Sequence, residues 1–355
     1  MKRIILTGGG TAGHVTPNMA LIPGLVDAGF DIHYIGSYNG IEKRLIEEMG
    51  VPYYGISSGK LRRYFDVKNF SDPFKVMKGY SEASRLIKKL DPGIVFSKGG
   101  FVTVPVVLAA RRRKVPVIIH ESDITPGLAN RICIPSATKV CCNFPETLDH
   151  LPADKAVLSG SPIRQELFSG DKAKGLSLCG FDGSKPVLLA MGGSLGAVAI
   201  NKALRSNLTE LLKDFDIIHL CGKGKYDPDL AGTRGYMQFE YAKSELTHLF
   251  AATDLILSRA GANAICELLA LKKPNILIPL PASQSRGDQL LNAASFERSG
   301  YSYVIQEEEL EGDALLKAIQ YVYNERDEYI QALSESRLND AIKIITDLII
   351  ETAKD

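Results

Sequence analysis

The sequence lacks any apolar run near the ~18–20 residues that a membrane-spanning helix needs. Its first apolar run, Ile4-Ile5-Leu6, is far too short for the core of a secretory signal. Both absences set the expectation of a cytoplasmic, soluble chain that at most visits a membrane surface. Charge of one sign is lacking too: 42 Lys and Arg stand against 41 Asp and Glu, a formal net of +1. That excludes a global pull on nucleic acid, so any basic function must be a local patch. The six cysteines, Cys133, Cys141, Cys142, Cys179, Cys221 and Cys266, form no CxxC pair. Without a secretory signal they are expected as reduced, mostly buried thiols. Low-complexity segments and long linkers are also missing.

What is present is a repeated opening. Residues 3–7 (RIILT) run into Gly8-Gly9-Gly10-Thr11-Ala12-Gly13-His14, then Pro17 and an apolar-periodic helix. Residues 186–191 (PVLLAM) run into Gly192-Gly193-Ser194-Leu195-Gly196-Ala197 and another helix. A β-branched strand, a glycine turn and a helix N-terminus together offer backbone N–H groups to an anion. At 355 residues the chain is long enough for two domains, each with its own core. Two such openings predict two similar domains facing each other across a cleft and handling a phosphorylated ligand.

The periodicity supports this. Strands are predicted near 3–7, 31–35, 94–97, 116–120 and 138–141, then near 187–191, 216–221, 236–238, 255–258 and 275–279. Helices are predicted near 17–28, 40–49, 72–90 and 104–113, then near 197–213, 243–251, 262–271 and 286–299. Alternating strands and amphipathic helices mean βαβ units and parallel sheets, an α/β fold. The pattern breaks around Leu158-Ser159-Gly160-Ser161-Pro162, which places a first domain at 1–160 and a second at 161–337. In the helical tail, Ala341, Ile344, Ile345, Leu348 and Ile349 form one apolar stripe, read as a packing face.

Gly8, Gly10 and Gly13 fit G-x-G-x-x-G, a dinucleotide signature. That reading needs an acid ending the second strand to hold a ribose. The strand ends Tyr34-Ile35-Gly36-Ser37, and the first acid afterwards is Glu42, so a nicotinamide-dependent oxidoreductase is the weaker reading. Because tryptophan is absent, NADH fluorescence would report such binding cleanly. His14 begins a helix, where the dipole disfavours the imidazolium. It reads either as a neutral base for an attacking hydroxyl or as a polar cap residue. In Ser258-Arg259-Ala260-Gly261-Ala262-Asn263-Ala264-Ile265-Cys266-Glu267, the Ala262 and Asn263 amides can face a phosphate. Glu267, about one turn in, reads either as a ribose ligand or as a surface or first-turn glutamate favoured by the dipole. Asp288, Gln289 and Asn292 follow a buried strand, and amides suit hydroxyl-rich ligands because they donate and accept; a solvated loop with a cap is the plain alternative. Between Lys60 and Tyr80, Lys60, Arg62, Arg63, Lys68, Lys75 and Lys78 interleave with Tyr64, Phe65, Phe70, Phe74, Met77 and Tyr80. This mixture suits an anionic membrane surface, or a loop tucked over the core. No nucleic-acid recognition motif accompanies it.

Taken in order, GGGTAGHVTP, SKGGFVTVP, HESDITPGLANR, GSPIR, GGSLGAVAIN, SRAGANAICELLALKKP and RGDQLLNA resemble the MurG family of bacterial glycosyltransferases over nearly the whole chain. The RGDQ form is similar to the Gram-positive branch. The resemblance implies a GT-B fold, two Rossmann-like domains with the active site in the cleft, and a C-terminal helix (338–355) packed on the first domain. It implies transfer of N-acetylglucosamine from UDP-GlcNAc to the muramyl 4-hydroxyl of lipid I, giving lipid II. Thr11, Ala12 and Gly13 would lie against donor sugar and acceptor diphosphate, with His14 as candidate base. Arg164 and Ser194 would contact the donor nucleotide, Ala262 and Asn263 its phosphate, and Glu267 its ribose. Gln289 and Asn292, beside Asp288, would reach the sugar, and backbone near Tyr241–Lys243 the uracil. Many members have HEQN where this chain has His120-Glu121-Ser122-Asp123, so Asp123 replaces an amide thought to face the sugar. No DxD-like metal motif stands at a plausible diphosphate site, so no metal or other cofactor is expected. The implied setting is the cytoplasmic membrane face, beside cell-wall synthesis or division proteins. A UDP-sugar epimerase of the same fold is the other reading.

Overall fold

The structure is a computed structural model that describes residues 2–59, 72–193, 196–310, 312–336 and 340–354. The chain divides into two compact units. Unit 1 comprises Met1–Arg164 with Leu338–Asp355, and unit 2 comprises Gln165–Arg337.

Unit 1 holds β1 (Lys2–Thr7), α1 (Thr16–Asp27), β2 (Phe30–Ser37), α2 (Ile41–Glu47), β3 (Tyr53–Ile56), α3 (Asp72–Leu90), β4 (Ile94–Ser97), α4 (Thr103–Arg112), β5 (Val117–Glu121), α5 (Leu128–Cys133), β6 (Lys139–Cys142) and β7 (Ala156–Leu158). Its strands form a seven-stranded sheet in the order β3-β2-β1-β4-β5-β6-β7, every pairing parallel. A parallel sheet is covered on both faces, so its strands read as continuous apolar runs. Alternate residues sort to the two faces. Ile5, Ile35, Val95 and Ile119 meet Ala83 and Ile87 of α3 and Val106 of α4. Ile4, Leu6, Ile32 and Phe96 meet Leu21 and Leu25 of α1.

Unit 2 holds α6 (Lys172–Cys179), β8 (Val187–Met191), α7 (Val198–Ser206), α8 (Leu208–Asp214), β9 (Asp216–Leu220), β10 (Tyr236–Phe239), α9 (Leu246–Ala252), β11 (Leu255–Ser258), α10 (Ala262–Ala270), β12 (Asn275–Leu277), α11 (Asp288–Arg298), β13 (Tyr303–Val304), α12 (Ala314–Asn324) and α13 (Arg326–Glu335). Its parallel sheet runs β10-β9-β8-β11-β12-β13, the same progression as in unit 1. Leu188, Ile217, Leu257 and Ile276 pack with Ile200 and Leu204 of α7 and with Ile319 of α12.

The last helix, α14 (Ala341–Thr352), belongs to unit 1. Ile345 and Ile349 enter the core that α1 covers, and Gly24 of α1 admits the close approach of Ile342 and Thr346.

The long helix predicted over 197–213 is two helices, because the chain turns at Asn207, whose amide donates to the Ala203 carbonyl at 2.9 Å. β3, β7 and β13 went unpredicted; all three are short strands at sheet edges. All six cysteines are free and buried, and burial pushes Cys133, Cys141, Cys142 and Cys179 up to about 12, so they are thiols. Among the described residues no helix is long and apolar enough to cross a membrane.

Candidate active site

In an open parallel sheet, ligands bind beyond the strand carboxyl ends, where the strand order switches direction. In unit 1 that point lies between β1 and β4; in unit 2 it lies between β8 and β11.

In unit 1 the segment after β1 turns sharply. Gly8 and Gly9 are buried and Gly10, Thr11 and Ala12 are exposed, with Gly10 at φ +88°. A 3-10 turn, Ala12–His14, leads into α1. His14 is thus the last residue of that turn. Thr11 Oγ1 lies 3.1 Å from His14 Nδ1. If Nδ1–H donates to this hydroxyl, the basic lone pair falls on Nε2; the proton's position follows from that assignment. The segment after β4 runs directly against this turn. A Cβ on Gly99 (φ +92°) would stand 3.6 Å from His14 Cδ2 and 3.3 Å from Asn130 Oδ1, and one on Gly100 would strike the Gly9 carbonyl.

The segment after β5 completes the group. Glu121 is buried and accepts from the Ser122 and Asp123 amides at 2.8 and 3.1 Å, the Gly127 amide at 3.0 Å and Asn130 Nδ2 at 2.8 Å. Burial raises its pKa, and these donors pull it back. The loop carrying Asp123 is therefore wrapped around a fixed carboxylate, and Asp123 itself is half-buried. Lys98, fully buried, contacts Ser122 Oγ. His120 is held neutral by burial and by the nearby Lys98 charge, its Nε2 2.9 Å from the Gly160 carbonyl. Arg164 closes the unit; its Nε is buried with no hydrogen-bond partner among the described residues.

In unit 2, Ser194 lies outside the described residues. The flanking glycines take left-handed backbone, Gly193 at φ +82° and Gly196 at φ +69°. Lys225 Nζ donates to the Gly196 carbonyl at 3.0 Å. After β11, Gly261 is the extended N-cap of α10, so Ala262 and Asn263 are its first residues. Glu267 is the sixth residue, half-buried and past the first turn, which sets aside the reading of it as a first-turn glutamate. α11 begins at Asp288, paired with Arg286 at 2.5 Å. Gln289 Oε1 accepts from the Leu280 amide at 3.0 Å. Asn292 is fully buried and donates to the Ala260 carbonyl at 3.3 Å. These two amides tie α11 to the segments after β12 and β11. Tyr241 stands exposed.

Sequence reading missed residues that organise these segments. Arg259 donates to the Ile278 and Pro279 carbonyls at 3.1 and 3.2 Å and pairs with Glu307. Glu121 and Lys98 do comparable work in unit 1. A charged side chain at or directly after the end of a buried strand is the signal that would have found all of them.

Two all-parallel sheets of one strand order, each with a glycine turn and polar side chains gathered at its switch point, define a protein built from two Rossmann-like domains. The chain belongs to glycosyltransferase family 28: the family's N-terminal domain matches residues 4–142 and its C-terminal domain residues 187–348. It is 67% identical over 351 residues to a protein of Lachnoclostridium phytofermentans named UDP-N-acetylglucosamine--N-acetylmuramyl-(pentapeptide) pyrophosphoryl-undecaprenol N-acetylglucosamine transferase, with 99% of each chain covered. A protein of the same name from Lachnospira eligens is 62% identical over the full length of both. The crystal structure of Acinetobacter baumannii MurG superposes with a TM-score of 0.77 at 25% identity, covering 99% of this chain and 100% of that one. UDP-GlcNAc 2-epimerase from Methanocaldococcus jannaschii shares the fold at 16% identity (TM-score 0.68, covering 99% and 100%), a likeness that extends to the fold alone.

Proposed function

We propose that this chain transfers N-acetylglucosamine from UDP-N-acetylglucosamine to the muramyl 4-hydroxyl of undecaprenyl-pyrophosphoryl-muramyl-pentapeptide, completing the lipid-linked disaccharide of peptidoglycan. The observation that carries this reading is end-to-end identity of 67% with a relative of that name. The glycine turns and their surrounding polar groups support it.

In the reading, unit 1 receives the acceptor and unit 2 the donor. His14 Nε2 takes the proton of the acceptor hydroxyl as its oxygen bonds to the anomeric carbon. With Nδ1–H donating to Thr11 Oγ1, the Nε2 lone pair is the one that does so. The anomeric bond to UDP breaks on the opposite face, so an α donor gives a β linkage in one displacement without a protein nucleophile. UDP leaves with the electron pair. Its charge is met by the Ala262 and Asn263 amides at the α10 N-terminus, by the 192–197 turn that includes Ser194, and by Arg164, a preorganised electrostatic contribution. Glu267 accepts from the ribose hydroxyls. Asp288, Gln289 and Asn292 shape the sugar side, and Asp123 accepts from a sugar hydroxyl. No metal or cofactor enters this scheme, so a chelator should leave the rate unchanged.

The lipid acceptor places the enzyme at the cytoplasmic membrane surface. α3 supports this: Phe74 and Met77 are 75% and 70% exposed beside the exposed Lys75 and Lys78. Rings and methyls at the interface with cations on anionic head groups are the physics of such docking. Arg62 and Arg63 lie outside the described residues.

The test is incubation with radiolabelled UDP-N-acetylglucosamine and a short-chain lipid I analogue, followed by lipid extraction. Label in the lipid phase that disappears when acceptor is omitted is the expected result. Tight donor binding without transfer would move the reading to an epimerase or another acceptor.

A further inference from the structure

The geometry points to Glu42 as a positioning residue for the acceptor side: a built-in anion that takes the Gly10 amide and so fixes which part of the glycine turn a ligand phosphate can use. The inference rests on the proposed acceptor role of unit 1.

Glu42 lies in the first turn of α2 yet is fully buried. Its Oε1 accepts from the Ser37 amide at 3.0 Å and the Ser37 hydroxyl at 2.5 Å, and its Oε2 accepts from the Gly10 amide at 3.3 Å. Space for the carboxylate is reserved by two glycines. A Cβ on Gly9 would come 2.6 Å from the carboxyl group, and one on Gly40 would overlap it; one on Gly36 would meet the Tyr53 hydroxyl and the Glu42 Cγ. The carboxylate thus fills the gap between the end of β2 and the turn after β1. In a Rossmann unit that gap admits the nucleotide, and the turn's amides hold its phosphate.

A buried carboxylate costs free energy unless donors satisfy it, so placing one here has a consequence. The Gly10 amide points back into the protein at an anion. Gly10 stands at φ +88°, and the exposed crest from Gly10 to Ala12 leads directly to His14. A phosphate is repelled from the Gly10 end and steered along the crest toward Thr11 and Ala12. That sets the distance from acceptor phosphate to base.

Glu42→Gln keeps the volume but sets an amide nitrogen against one of the donors. Ser37→Ala removes one hydrogen bond and leaves the Gly10 contact. Transfer to the lipid I analogue is measured with the full chain for both, giving kcat, both KM values, UDP affinity and Tm. Glu42→Gln should raise the acceptor KM about tenfold with the UDP-GlcNAc KM within twofold. Ser37→Ala should lower Tm with the acceptor KM within twofold. If Glu42→Gln does not fold, Glu42→Asp replaces it: the shorter acid keeps its charge near Ser37 but falls short of Gly10, and should show the acceptor defect with Tm near wild type. An unchanged acceptor KM, both KM values rising together, or acceptor defects that track Tm across the variants would overturn the assignment. Wild-type chain that makes no lipid-phase product would instead overturn the acceptor reading itself.

Discussion

The two units share a strand order and an opening glycine turn, yet each sets a different charge against that turn. Unit 1 buries the Glu42 carboxylate behind it and engages an amide. Unit 2 brings the Lys225 ammonium to it and engages a carbonyl. The lesson is that a Rossmann-like backbone offers a generic anion cradle. The side chain brought behind the cradle by a neighbouring segment decides what it will hold.

The division of labour can be broken unit by unit. The largest expected effect is in unit 1. His14→Ala should lower kcat roughly 100-fold or more, the scale of a lost proton acceptor. UDP affinity should stay within twofold, and near-normal turnover would remove His14 from the role. Thr11→Val, which loses only the orienting hydroxyl, should fall between this variant and wild type. In unit 2, Glu267→Ala should weaken UDP binding by about tenfold, as expected for a charged acceptor on ribose hydroxyls. Calorimetric titration with UDP reads this directly; unchanged affinity would refute the ribose assignment.

A third comparison concerns stability. Each unit buries a neutral histidine: His120 in unit 1, and His219 in unit 2, which lies 2.7 Å from the Tyr236 hydroxyl and 2.9 Å from Asn201 Oδ1. Burial depresses both, His219 to about 3. Above pH 6.5 both are neutral whether folded or unfolded, and their contribution is fully present. As pH falls below 6.5 the unfolded chain takes up protons first, and stability is lost until the folded pKa is reached. Each group should add a slope of roughly 1.4 kcal/mol per pH unit at most. Denaturant midpoints of His219→Gln between pH 6.5 and 4 should fall less steeply than those of wild type; parallel slopes would dismiss the histidine. The smallest effect is at the membrane. Lys75→Gln should weaken binding to anionic vesicles by about 1 kcal/mol, roughly fivefold. The same change at exposed Lys202 of unit 2 should leave binding unchanged.

Much of this frame was legible because parallel strands and amphipathic helices write strong periodicities. Helix 72–90 and strands 94–97, 187–191 and 255–258 fall where apolar spacing put them. Edge strands did not show, because β3, β7 and β13 are short and half-buried and make no continuous apolar run. Among site residues, glycine turns and helix starts are local and could be read from the chain. Glu42 could not. In sequence it is an acid that fails the dinucleotide rule, and only the return of α2 against the first turn shows its carboxylate on the Gly10 and Ser37 amides. Asn292 illustrates the same limit: its spacing marks a polar helix start, while its bond to Ala260 links segments 32 residues apart.

The placement of α14 has a consequence for how the protein is made. Synthesis runs from the first residue to the last, and early domains usually fold while later ones are still emerging. Here the helix that carries Ile345 and Ile349 into the core with α1 is synthesised after every element of unit 2. The first half of the chain must therefore wait, with the face of α1 around Gly24 uncovered, until the whole of unit 2 has been translated. Completion of unit 1 reports that unit 2 has already been made.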